Sequence, residues 1–87
     1  MVISKKSVLK AFGMLVKHQR QLLKLSQEEL GELSGLDRTY ISGIERGVRN
    51  LSLTAIVSLS NALQITSSEL MQGLEGYIKK YDDTNSF

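Results

Sequence analysis

The chain has 87 residues, 41% of them hydrophobic, which is enough for one small domain with its own core. It contains no Cys, which excludes a disulfide framework and a cysteine-based metal site and suits a reducing cytoplasm; no apolar run approaches the ~20 residues of a membrane span, and the opening MVISKKSVLKAFG lacks the apolar core and cleavage site of a signal peptide. The formal net charge is only +2, a value that argues neither for nor against a polyanionic partner, because attraction to phosphate depends on the local field.

With no Pro and many Leu and Ile, the pattern predicts an all-α chain of five helices. The first spans about 7–24, with Phe12, Leu15, Val16, Gln19, Leu22 and Leu23 near one stripe and Gly13 weakening it slightly. Residues 1–27 carry Lys5, Lys6, Lys10, Lys17, Arg20 and Lys24 with no acid, most simply a solvated basic face. The second helix has a strong start signal. Ser26 and Glu29 form an S-x-x-E capping box, Leu25 can staple to Leu30, and Gly35 offers a left-handed stop. Glu28, Glu29 and Glu32 make this helix acidic.

The third helix begins at once. Asp37 is a good N-cap, Leu36 and Ile41 occupy the staple positions, and Ile41 and Ile44 face inward. Arg38, Ser42 and Arg46 follow one another at helical spacing, and Thr39 and Gly43 lie beside them, so these five are expected on the opposite, outward face. Gly47 can end the helix. Ser52 is placed to cap a fourth helix with Leu53, Ile56, Val57, Ser60 and Leu63 on its inner stripe. Thr66 and Glu69 repeat the capping box, with Ile65 and Leu70 as the staple, and open a last helix over 65–81 that carries Leu70, Leu74, Tyr77, Ile78 and Tyr81 on one stripe. Residues 82–87 are expected to form a frayed, flexible tail, leaving 1–87 as one domain.

Two short helices with a glycine turn over 26–47, the second polar and basic outside, have the spacing of a helix-turn-helix, which sets side chains into the DNA major groove. Gly31 in the middle of the second helix allows the third to approach, and Gly35, Ile41 and Ile44 complete a specific signal. Arg38 can reach guanine O6 and N7 with two donors, and Thr39 can bond a base edge or touch a thymine methyl. Ser26 and Gln27 point N–H groups and side-chain donors toward a phosphate; Arg49 and Asn50, just past the third helix, are placed for backbone contacts or an adjacent base. Nothing points to catalysis or to a metal: His18 stands without Cys or a second His near it in sequence, no Ser has a His/Asp constellation, and no phosphate-binding glycine loop occurs. No catalytic residue, metal or cofactor is expected.

Over roughly residues 8–78 the chain resembles the phage-repressor-like, five-helix family of helix-turn-helix regulators. From Leu36 to Leu51, LDRTYISGIER followed by RN is most similar to the controller proteins of bacterial restriction–modification systems. The resemblance implies a small homodimer on a two-fold symmetric operator. That dimer would switch from activation to repression as it accumulates, with double-stranded DNA and its own second copy as partners, RNA polymerase as a further partner when activating, and no membrane. It implies base or phosphate contacts by Arg38, Thr39, Tyr40, Ser42, Arg46 and Arg49, and a phosphate contact by Gln27. Arg38, Thr39, Ser42 and Arg49 are thus assigned to bases, and Ser26, Gln27, Tyr40, Arg46 and Asn50 to phosphates. It also implies a salt bridge from Arg20 to Glu45. Gly47 and Val48 depart from the polar residues that controller proteins can have there, and Gly43 stands where phage repressors often read a base. The last stripe can close the core of a monomer or be shared across a two-fold axis; the resemblance favours the second, with Leu63, Ile65, Leu70, Leu74, Tyr77 and Ile78 at a dimer interface. The alternatives are a prophage-type repressor, an antitoxin, and a protein-interaction module that has lost DNA binding; Arg38, Arg46 and Arg49 speak against the last.

Overall fold

A computed structural model describes residues 4–81, and among these only helices and their joints occur. The helices are α1 (Lys5–Leu22), α2 (Gln27–Ser34), α3 (Arg38–Glu45), α4 (Leu53–Ala62), α5 (Ser67–Gln72) and α6 (Leu74–Tyr81). The expected all-α, five-helix architecture is present, with its last helix divided at Gly73 into α5 and α6. The expected tail, 82–87, lies outside the described residues.

Local side chains set most boundaries. α1 starts two residues earlier than its apolar stripe suggests, because the Ser4 hydroxyl accepts the Ser7 N–H at 3.3 Å. It ends at Leu22, and Lys24 then turns the chain with φ 58°. Both capping boxes are formed. Ser26 and Glu29 open α2, and Thr66 and Glu69 open α5, with all four cap bonds between 2.8 and 3.0 Å. Gly35 closes α2 at φ 74°, a left-handed conformation that costs glycine little.

The core draws on every helix: Phe12, Leu15 and Val16 from α1, Leu30 from α2, Ile41 and Ile44 from α3, Leu59 from α4, Leu63 just beyond it, Leu70 from α5, and Leu74 and Ile78 from α6. Burying one such side chain contributes about 1.5–3 kcal/mol. Two expected stripes are corrected. Leu22 and Leu23, assigned to the inner face of the first helix, are 62% and 38% exposed, since α1 has run past the core by then. On α4 the buried residues are Ala55, Leu59, Ser60 and Ala62, whereas Leu53 is 77% and Val57 50% exposed. That helix carries apolar residues on two faces, and packing against the other helices selects the face of Ala55 and Leu59.

Gly13, read from the sequence only as a weak point of the first helix, is where α1 meets α3. A Cβ there would strike the carbonyl oxygens of Ile44 and Glu45. Gly31 does the same for α2, where a Cβ would come within 2.7 Å of the Leu36 carbonyl oxygen. These close approaches hold α3 on its back and leave its front to solvent.

Candidate nucleic-acid interface

α3 is tied to both preceding helices by one polar network. The Arg20 guanidinium grips Glu45 with two bonds, Nε to Oε2 at 2.7 Å and Nη2 to Oε1 at 3.0 Å, and its Nη1 donates to the Leu25 carbonyl at 2.7 Å. Their side chains are only 12% and 3% exposed, so the pair acts as a partly buried clamp. The bond to Glu45 raises the Arg20 pKa, and the guanidinium stays charged. Glu45 Oε1 also accepts from Gln27 Nε2 at 3.1 Å. The expected Arg20–Glu45 link is therefore present, and the Gln27 amide joins it. Sequence spacing held no signal for that third member, because Gln27 and Glu45 lie on different helices.

The outward side of α3 carries Arg38 and Thr39 in its first turn and Arg46 at its C-cap, all exposed, with Ser42 half-buried between them. Asp37 caps the helix. Its carboxylate accepts the Thr39 hydroxyl at 2.8 Å and the Thr39 N–H at 3.4 Å. These bonds, with a lesser pull from the charge of Arg49, hold the Asp37 carboxyl below its ordinary pKa. The Thr39 hydroxyl proton is thus committed to Asp37, which leaves the oxygen of this exposed residue as an acceptor.

Arg49 returns over α3 from the following loop. Its guanidinium carbon lies 5.5 Å from the centre of the Tyr40 ring, and the Tyr40 hydroxyl donates to the Asn50 carbonyl at 3.3 Å. Tyr40 is half-buried against the core. Arg49, Tyr40 and Asn50 thus form one cluster. Gly43 is corrected: expected on the open face, it is buried, because the Arg49 side chain covers it. At the start of α2, the Ser26 N–H is taken by Glu29 Oε1 and Ser26 Oγ accepts from the Glu29 N–H, so of its donors only the hydroxyl proton remains available to a phosphate.

The arrangement presents Arg38 and Thr39 on a helix braced from behind, Arg46 at its C-cap and Arg49 from the loop that follows, the geometry of a helix that enters the major groove. A helix-turn-helix family model matches residues 16–70. The control protein C.SmaI of Serratia marcescens is 44% identical over 62 residues, covering 69% of this chain and 74% of that protein. The restriction–modification controller protein C.AhdI from Aeromonas hydrophila has 50% sequence identity and a TM-score of 0.70, over 71% of this chain and 94% of its own.

The chain belongs to the helix-turn-helix controller proteins of restriction–modification systems.

As a controller-type protein it is a regulator and not an enzyme. A second solved controller protein, C.Esp1396I, aligns over 84% of this chain and 95% of its own with 34% identity and a TM-score of 0.76; it has also been captured as a tetramer in complex with its natural 35-base-pair operator. In the present chain the residues expected at a dimer interface separate into two groups. Leu63, Leu70, Leu74 and Ile78 lie in the core of the single chain, the last two on α6, which packs along α1. Ile65 and Tyr77 are half-buried. The large apolar side chains left outside on this part of the molecule include Leu53 and Val57 of α4.

Proposed function

We propose that this chain is a homodimeric transcriptional regulator that binds a two-fold symmetric operator ahead of restriction–modification genes, in a bacterial cytoplasm and at the nucleoid. The observation that carries the reading is the braced α3, with Arg38, Thr39, Arg46 and Arg49 gathered on its solvent side by the Arg20–Glu45 clamp and the Tyr40–Arg49 stack. Arg38 and Thr39 are the principal base readers. Arg49 and Ser42 are secondary ones, and Ser26, Gln27, Tyr40, Arg46 and Asn50 position the phosphates.

One copy offers few phosphate contacts, and a dimer doubles them and reads half-sites roughly one helical turn apart. The exposed Leu53 and Val57, one turn apart on α4, together with Ile65 in the joint after it, supply the apolar surface for that pairing. As dimers accumulate, the same protein passes from activation, in contact with RNA polymerase, to repression. A binding selection on random duplex DNA, with stoichiometry measured on the recovered site, tests this reading. A palindromic site holding two chains is expected. Recovery of no preferred sequence, or of a site without two-fold symmetry, would overturn it.

A further inference from the structure

Gly43 sits in the middle of the recognition helix and yet is buried, and the cover is a single side chain. A Cβ at this position would lie 2.6 Å from Cγ of Arg49, 3.3 Å from its Nε and 3.5 Å from its Cδ. The stem of Arg49 therefore occupies the space that any other residue would fill. We propose that Gly43 is a positioning residue for DNA recognition: its missing side chain is the seat that holds Arg49 in reading position before DNA arrives. The inference rests on Arg49 being a DNA contact, as above.

Three further contacts around the seat act in the same direction. The Val48 N–H donates to the Gly43 carbonyl at 3.0 Å, which brings the loop back onto α3 one residue before Arg49. The Tyr40 ring receives the guanidinium at 5.5 Å. The Tyr40 hydroxyl holds the Asn50 carbonyl one residue after Arg49. The chain on both sides of Arg49 is thus fastened to α3, and the side chain between is laid along it. A long arginine confined to one rotamer in the free protein loses less freedom on binding than a solvated one, so the seat raises affinity without touching DNA. A glycine inside a short helix is otherwise unfavourable, since alanine is the better helix former.

The test compares the wild-type protein, Gly43→Ala, Arg49→Ala and the double variant for affinity to the selected DNA site. Each single variant is expected to bind roughly tenfold more weakly, the size of one lost base contact, and the double variant no more weakly than Arg49→Ala. Losses that multiply in the double variant would mean that the added methyl acts without Arg49 and would overturn the inference. So would full affinity in Gly43→Ala while Arg49→Ala is weakened, an outcome that leaves the assignment of Arg49 intact. Full affinity in Arg49→Ala removes that assignment and the inference with it. A second measurement needs no variant: the Arg49 Nε–H signal of the free wild-type protein is expected to show restricted motion by nuclear relaxation, and a freely averaging signal would refute the seat.

Discussion

Arg38 and Glu45 show how differently two charges on one short helix act. Arg38 is exposed in the first turn of α3, so its loss should barely touch the fold. Arg38→Ala is expected to abolish preference for the operator and to keep weak, general DNA affinity; competition between operator and unrelated DNA measures this, and a variant that still selects its operator removes Arg38 as the main reader. Glu45 is buried in the fork of Arg20. Glu45→Gln keeps its shape but leaves a guanidinium without its counter-charge, and a loss of about 2–3 kcal/mol in denaturant-induced unfolding is expected. A change within experimental error would show the pair to be ornamental. Arg38, Thr39, Arg46 and the clamp were legible as residue types at helical spacing or through the family resemblance. The Gln27 bond to Glu45 and the Arg49 cover on Gly43 were not, because each joins residues whose separation follows no helical period.

Among the elements, helix starts were read well, since a cap is a local device. Ser26, Asp37, Ser52 and Thr66 all occupy the N-cap positions that the sequence indicates. Faces were read less well: α4 turned Ala55 and Leu59 inward and left Leu53 and Val57 outside, which depends on what the helix meets. The caps also carry a pH dependence. Hydrogen bonds at the α2 and α5 starts hold Glu29 and Glu69 below their ordinary value of 4.5, and those from Thr39 hold Asp37 below 3.8. A carboxyl whose folded pKa is lowered stabilises the fold above its unfolded value and loses that contribution as pH falls through the folded one. Stability should therefore be level down to about pH 5 and decline below it, as measured by urea unfolding across acid pH. A level profile through pH 3 would count against the carboxylate caps.

For the whole molecule, the decisive question is which apolar surface a second copy covers. Leu70, Leu74 and Ile78 of the final stripe are buried in the core, with α6 packed along α1, so in the proposed dimer the pairing surface would be Leu53, Val57 and Ile65. Val57→Asp is expected to give monomers in sedimentation equilibrium with helical content unchanged, and to weaken operator binding far more than any single phosphate contact would. A dimer of wild-type strength would move the interface elsewhere.

The sequence by itself determined the all-α class, the capped starts of α2 to α5 and the exposed placement of Arg38, Thr39 and Arg46, because caps, helical period and outward side chains are properties of neighbours along the chain. Tertiary structure alone decided which face of α4 is buried, that the last helix closes its own core, that Gly13 receives the back of α3, and that Gly43 seats Arg49. Each of these is a contact between segments distant in sequence or out of helical register, where the space left by one residue has meaning only once another arrives to fill it.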